Sequence, residues 1–187
     1  MGQLTYTAIA SLDGYVADAE GNFDWAEPDG AVHAFVNELE RPVGTYLYGR
    51  RMYEVMRFWA APEASEGQPT HIEEYARIWR DADKVVYSSS LESVNTERTT
   101  LERRFDPDAV RALKASAERE LSVGGPTLAA AALRDALVDE IRLILYPVLV
   151  GGGTRALPPG VRIDLELRDE HRFPGGQAYL RYGVRPS

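Results

Sequence analysis

Glu120-Leu-Ser-Val-Gly-Gly-Pro-Thr-Leu-Ala-Ala-Ala-Ala-Leu133, followed by Leu137-Val-Asp-Glu-Ile-Arg-Leu-Ile-Leu-Tyr-Pro-Val-Leu-Val150 and Gly151-Gly152-Gly153, decides how this chain folds. Leu121 to Val123 is a short apolar segment that reads as a strand. Gly124-Gly125 breaks it, and Pro126 suits the first turn of a helix, where its missing N–H costs nothing. Leu128 to Ala136 has the Ala/Leu composition of a helix packed closely on a flat surface. Ile141 to Val150 is apolar on both faces, which predicts a central buried strand. A strand, two glycines and a helix N-terminus form a receptor for a phosphate, because the backbone can approach the ligand and free N–H groups favour an anion. The same pattern also serves as a tight strand-to-helix turn with no ligand.

Outward from that run, the bulk properties limit the field. The chain has 187 residues, enough for one domain with a sizeable core. Hydrophobic residues make up 44% and charged residues 27%, as in ordinary globular proteins. A net charge of −8 argues against a general nucleic-acid or anionic-membrane binder, so an anionic ligand needs a locally basic pocket. With no cysteine, disulfides, thiolate metal sites and cysteine nucleophiles are excluded. No metal site is expected. The first residues lack a basic and then apolar leader, and no apolar run spans a bilayer, so the protein is expected in the cytoplasm.

Upstream, Leu4 to Ala10 is a β-prone run that fits an early central strand. It ends in Ser11-Leu-Asp-Gly-Tyr-Val-Ala17, where Asp13-Gly14 signals a turn. An irregular loop carrying Trp25 follows; it reads equally as the wall of a site or as a surface loop with a buried Trp. Pro28-Asp29 opens an amphipathic helix with Val32, Phe35, Val36 and Leu39 on one stripe. His33 beside that stripe reads as packed or solvated. Gly44 to Tyr48 is a second strand, running into Gly49-Arg50-Arg51 at the start of a helix. Cations there oppose the helix dipole, so local energetics do not explain them, whereas a bound phosphate does. Pairing with Glu54 is the alternative.

Ala60 to Thr70 reads as a surface loop, and His71 to Arg80 as a helix. Lys84 to Tyr87 is a third strand ending in Ser88-Ser89-Ser90, hydroxyls suited to a ribose or phosphate, or to capping a turn. Thr99 to Phe105 is a fourth, more polar strand, and Asp106 caps a further helix. At the C-terminal end, Val161–Arg168 and Ala178–Tyr182 alternate apolar and polar around a turn at Pro174-Gly175-Gly176. They predict an antiparallel hairpin with one face buried, closing an otherwise α/β sheet. Three strand ends thus carry ligand-suited chemistry, and in an open α/β sheet such loops converge beyond the carboxyl ends of the strands. The Gly-x-Gly-x-x-Gly fingerprint is absent after the first strand.

Taken together, Ala10–Ala17, Tyr48–Met56, Val85–Ser88, Val123–Leu128, and Leu137–Glu140 through Pro147–Gly153 resemble the dihydrofolate reductase-like superfamily. The branch is the one similar to the C-terminal reductase domain of bifunctional riboflavin-biosynthesis deaminase/reductase proteins, and the resemblance covers nearly the whole chain. It implies a three-layer fold, a mixed and mainly parallel sheet flanked by helices, and an NADPH-dependent oxidoreductase that passes hydride to a small heterocycle. By position, Gly49, Arg50 and Arg51 would hold the 2′-phosphate and Ser88 and Ser89 the adenine ribose. Gly124, Gly125, Pro126, Thr127 and Leu128 would receive the pyrophosphate. Ala8, Ile9, Gly14, Val16 and Ala17 would border the nicotinamide. Where the family often carries a threonine, this chain has Met52, which removes one hydroxyl from the phosphate pocket.

At the substrate end, the superfamily engages its heterocycle with a carboxylate at the first helix. Asp29 lies there, with Asp13, Asp24 and Glu27 as rivals, and a solvated helix-terminal carboxylate as the plain alternative. Asp29 and Asp13 are the candidate catalytic residues, and Trp25 and Tyr53 the candidate substrate contacts. The resemblance points to 5-amino-6-(5-phosphoribosylamino)uracil reductase-like or dihydrofolate reductase-like chemistry, with no zinc deaminase signature attached. A non-catalytic nucleotide- or flat-ligand-binding protein on the same fold is the competing reading. Unpaired sheet edges further predict a homodimer.

Overall fold

The computed structural model describes residues 2–185. Its centre is an eight-stranded sheet. In chain order the strands are β1 (Leu4–Ser11), β3 (Val43–Gly49), β4 (Asp83–Tyr87), β5 (Thr99–Glu102), β6 (Glu120–Gly124), β7 (Glu140–Tyr146), β9 (Leu165–Arg172) and β10 (Ala178–Val184). A separate two-stranded ribbon pairs β2 (Tyr15–Ala17) with β8 (Thr154–Arg155). The helices are α1 (Gly30–Glu40), α2 (Arg50–Met56), α3 (Thr70–Asp81), α4 (Pro107–Ser116) and α5 (Pro126–Arg134).

The strand order is β5-β4-β3-β6-β1-β7-β10-β9. The first six run parallel, and β10 lies antiparallel to both β7 and β9. Alternation along β1 explains the layers. Leu4, Tyr6, Ala8 and Ala10 face a core closed by Val110 of α4 and by Leu128, Ala129, Ala132 and Leu133 of α5. The other face is covered by α1 through Val32 and by α3 through Tyr75 and Trp79. The expected three-layer, mainly parallel architecture is therefore present.

Several boundaries differ from the sequence reading. Helix α5 begins at Pro126 and ends at Arg134, because Ala136 takes a left-handed φ of 52° that a helix cannot continue. Strand β7 stops at Tyr146, one residue before Pro147, which has no N–H for the ladder; Leu149 beyond it is 70% exposed. The C-terminal hairpin starts at Leu165, where pairing with Val184 begins, not at Val161. Its edge strand β9 is mostly exposed, and β10 supplies the buried face through Tyr179. The 3-10 turn Pro62–Ala64 lies within the stretch 60–70 read as a plain loop, and strand β5 ends at Glu102, not at Phe105.

The C-terminal end of α1 is tied to the sheet by a buried charge network. The Arg142 guanidinium donates to Glu140 at 2.6 Å, to Glu120 at 3.1 Å and to the Leu39 carbonyl at 3.1 Å. Glu40 is buried beside it, and burial pushes its carboxyl up against the opposing pull of Tyr46 and Arg142. This fixes the bottom of α1 and so the position of its N-terminus at the other edge of the sheet.

Candidate active site

Six parallel strands end on one edge of the sheet, and the loops that leave them build the site. Strands β3 and β6 are neighbours, with Tyr48 opposite Gly124, so the Gly49-Arg50-Arg51 turn and the Gly124-Gly125-Pro126 turn lie side by side. Gly124 is dictated by packing: a Cβ there would sit 2.6 Å from Cε1 of the buried Tyr48 ring. Gly125 takes a φ of 90°, open to glycine and costly to other residues, and turns the chain into α5. No side chain caps the N-terminus of α5, so its first N–H groups stay available to an anion. Met52 packs on this turn, its Cγ lying 3.3 Å from where a Gly124 Cβ would be.

Arg50 and Arg51 are exposed at the start of α2. Arg50 lies 3.7 Å from Glu54, a loose surface pair of little energetic weight, and no carboxylate among the described residues lies within ion-pair distance of Arg51. At Gly49 a Cβ would find no atom within 4 Å, so protein packing does not require the glycine and the backbone there borders open space. An uncapped helix terminus, two exposed guanidinium heads and open backbone fit a phosphorylated nucleotide. The next strand end behaves differently. Ser88 is buried, and its hydroxyl accepts from the Ser90 N–H at 3.3 Å and the Leu91 N–H at 3.0 Å. It caps the turn, and Ser89 and Ser90 are the exposed hydroxyls there. Leu128 points into the core, and Thr127 is exposed on the first turn of α5.

The other half of the edge lies over β1 and β7. The chain after β7 folds back across the strand ends and is tied down at four points. Leu12 N–H donates to the Val148 carbonyl at 2.9 Å, and Ala156 N–H to the Gly14 carbonyl at 2.9 Å. The Tyr6 hydroxyl donates to the Ala156 carbonyl at 2.7 Å. Asp13 accepts from Val150 N–H at 3.2 Å and Gly151 N–H at 2.8 Å. Gly14, Val16 and Ala17 sit half-buried in the β2–β8 ribbon, where a side chain at Gly153 would run into the Ala17 carbonyl. Ala8 belongs to the core, and Ile9 packs in the cluster beneath Trp25 and Tyr146.

The two candidate catalytic carboxylates, Asp13 and Asp29, already have structural tasks. The Ser11 hydroxyl, with the Gly151 and Val150 amides, holds the Asp13 carboxyl below its usual range against the opposing effect of burial. An anion engaged in this way is a loop tie and a poor proton donor at neutral pH. Asp29 is the N-cap of α1: its Oδ1 accepts from Ala31 N–H at 3.0 Å and Val32 N–H at 2.9 Å. Its Oδ2 has no protein donor among the described residues. Beside it stands Tyr146, at the end of β7, whose hydroxyl reaches the Glu27 carbonyl at 3.4 Å and whose ring meets Trp25 edge-on at 6.5 Å. Burial, and then the Asp29 charge, push the Tyr146 hydroxyl up to about 12, so it stays protonated. The Trp25 Nε1 proton is buried with no partner.

Tyr53 is corrected. It is 1% exposed, and its hydroxyl bonds Asn95 and Thr96 at 3.1 Å, so it anchors α2 to the loop before β5 and cannot meet a substrate. His33 is packed against Trp59, His71 and Tyr75, with burial and the His71 charge lowering its pKa. Tyr146 escaped the sequence reading because the strand was extended past it; Pro147 was the signal that it stands at the strand end. Among the described residues no group of three or more metal-ligating side chains could hold an ion.

Comparison with known proteins agrees with this arrangement. The Bacillus subtilis (strain 168) protein YyaP, itself uncharacterized, is 24% identical over 176 residues, covering 92% of this chain and 89% of its own. A putative riboflavin biosynthesis protein from Shewanella sp. PV-4 superposes with a TM-score of 0.76 at 20% identity, over 98% of this chain and 99% of that one. Acinetobacter baumannii RibD superposes with a TM-score of 0.72 at 15% identity, over 99% of this chain and 58% of that protein. At such identities the superpositions speak for the fold alone. Residues 3–180, from β1 into β10, match the family directly: the chain belongs to the RibD C-terminal domain family, the reductase-like domain of riboflavin biosynthesis.

Proposed function

We propose that the protein is an NADPH-dependent reductase that passes hydride to a small, flat heterocycle. The acceptor chemistry is of the 5-amino-6-(5-phosphoribosylamino)uracil reductase or dihydrofolate reductase type. The observation that carries this reading is the juxtaposition, on adjacent strand ends, of the exposed Arg50–Arg51 pair and the uncapped N-terminus of α5. Reductase domains of this family generally use NADPH, which when bound supplies the hydride. In this reading Arg50 and Arg51 hold the 2′-phosphate. The N–H groups of Gly125 and Thr127 take the pyrophosphate, and the Asp13-tied loop keeps water from the reacting face. Asp29 Oδ2 meets N–H groups of the acceptor, and Trp25 and Tyr146 give it an apolar bed.

The test is the thermal midpoint with NADPH, NADH and neither. NADPH at 100 times its Kd should add about 2.7 kcal/mol, or about 5–11 °C for a domain of this size. The rise with NADH should be smaller, and Arg50→Ala/Arg51→Ala should erase the difference. No rise with either nucleotide would refute the reading. The competing reading, a non-catalytic flat-ligand binder, draws support from the structural duties of Asp13 and Asp29; NADPH binding with no acceptor-dependent loss of its absorbance would favour it.

The same reading places the enzyme in the cytoplasm as a homodimer. No helix among the described residues is long and apolar enough to cross a membrane. Strand β9 ends the sheet with a free edge and a half-exposed Leu167, which a second copy would cover. Light scattering at about twice the 20.8 kDa chain mass is expected; the chain mass itself would refute the dimer.

A further inference from the structure

Helix α1 is fixed at its C-terminal end by the Arg142 network, and its N-terminal end meets α3 through two histidines. His33 is the fourth residue of α1 and His71 the second of α3, and their ring centroids lie 5.1 Å apart. His33 is 8% exposed, walled by Trp59 of the 3-10 turn Arg57–Ala60 at 6.1 Å and by Tyr75 of α3 at 5.6 Å. His71 also packs on the first residue of α1, where a Cβ at Gly30 would lie 3.4 Å from its Cε1. The contact therefore bears on the turn that opens with the Asp29 cap.

The groups around this pair offer little to offset a positive charge. Asp29, one turn before His33, commits its carboxylate to the Ala31 and Val32 amides. Asn37, one turn after it, donates to the Glu74 carboxylate at 2.9 Å and to the His71 carbonyl at 2.8 Å, and Glu74 also accepts from Arg41. Tyr75 is buried, and burial pushes its hydroxyl up, so it stays neutral. Glu73 and Arg77 of α3 and Arg57 of the 3-10 turn are exposed. His33 Nδ1 is buried with no hydrogen-bond partner. Burial, and then the His71 charge, hold the His33 pKa below its ordinary value against smaller pulls from the backbone and Asn37. Both rings stand near helix N-termini, whose positive ends oppose a further cation.

We propose that His33 and His71 form a pH-operated latch: neutral, they pack α1 on α3, and acidification releases the first turn of α1 at the site edge. The direction follows from linkage. The closed state keeps His33 neutral, while the opened state lets it titrate as an ordinary imidazole. Closure is therefore complete above about pH 6.5 and weakens as pH falls below it. From about pH 7.5 to about pH 5.5, one such proton changes the closing equilibrium about tenfold. The latch needs neither nucleotide nor acceptor, so it goes beyond the reductase reading and stands apart from it.

The test is amide exchange of the full, ligand-free chain, read by NMR as protection factors at about pH 7.5 and about pH 5.5. The amides of His33 to Val36 form the first hydrogen-bonded turn of α1, beginning with His33 N–H to the Asp29 carbonyl at 2.8 Å. They should lose protection about tenfold on acidification, while β1 and β7 keep theirs within about threefold. In His33→Phe, which keeps a ring and takes no proton, the loss should shrink to within about twofold; His33→Gln gives the same reading should the Phe variant fail to fold. The His33 ring signal should also stay at its neutral position while a free imidazole titrates. Unchanged protection of the first turn, a loss shared equally by β1 and β7, or a loss that persists without the His33 imidazole would overturn the latch. So would a His33 signal that titrates as in an unfolded peptide.

Discussion

Replacing Gly124 and Gly49 by alanine, one at a time, separates packing from binding at the nucleotide end. At Gly124 the new methyl would lie 2.6 and 2.7 Å from two carbons of the Tyr48 ring. That ring cannot swing away: it is 2% exposed, stacks on Tyr46 at 5.4 Å and accepts a hydrogen bond from Trp79 Nε1 at 3.2 Å. The backbone of the turn must shift instead. Overpacking of this kind costs about 1–3 kcal/mol, which lowers the thermal midpoint by about 2–12 °C. At Gly49 the methyl meets nothing within 4 Å, and φ is an ordinary −75°. A small loss of capping is offset by a stiffer unfolded chain, so stability should hold within about 1 kcal/mol. The methyl nonetheless enters open space at the residue preceding Arg50 and Arg51, where the proposed nucleotide phosphate would approach the backbone. NADPH titrations of Gly49→Ala should therefore show about tenfold weaker binding with an unchanged apo midpoint, and Gly124→Ala should lose both. A Gly124→Ala midpoint equal to the wild type would refute the packing argument. A Gly49→Ala protein that binds NADPH normally would refute the placement of the nucleotide phosphate.

Lys84 is 1% exposed, donates to the carbonyls of Trp79 and Ala82, and lies over the Trp79 ring at 4.3 Å. Burial, with help from the Arg98 charge, lowers its pKa from 10.5 to about 8. The folded state releases this proton before the unfolded state does, so stability should rise with pH from about 8, by about 2–3 kcal/mol near pH 10. Beyond that the trend reverses, because Tyr87, Tyr146 and Tyr179, raised to about 12 by burial, stay protonated only in the folded state. Urea denaturation from pH 7 to 11 measures the curve, and Lys84→Met should remove its rising limb. Asp13→Ala should leave the core intact and release the loop after β7, read as faster amide exchange at Val150 and Gly151 and cleavage there by an added protease. Unchanged protection would show that the Leu12–Val148 bond and the β2–β8 ribbon hold the loop without Asp13.

Much of this protein was legible in one dimension, for a definite reason. Apolar runs with glycine or proline at their ends report local φ/ψ limits and burial on one or two faces, and these are properties of neighbours in sequence. Thus Leu4–Ala10, Gly44–Tyr48 and Leu121–Val123 emerged as strands, Pro126 as a helix start, and Asp106 as a cap. The motif order was enough to indicate the reductase-type fold. The sequence could not show which strand lies beside which, and the site depends on that. Pairing Tyr48 with Gly124 is a contact between residues 76 apart, and it brings the arginines to the open end of α5. The same limit hid the three-residue and two-residue strands of the ribbon, too short to carry a period, and the burial of Tyr53, whose pattern alone would suit a pocket as well as a core. The roles of Asp13 and Asp29 were likewise decided in three dimensions. A carboxylate reads the same in sequence whether it ties down a loop, caps a helix or faces a ligand, and only the donors around it tell these apart.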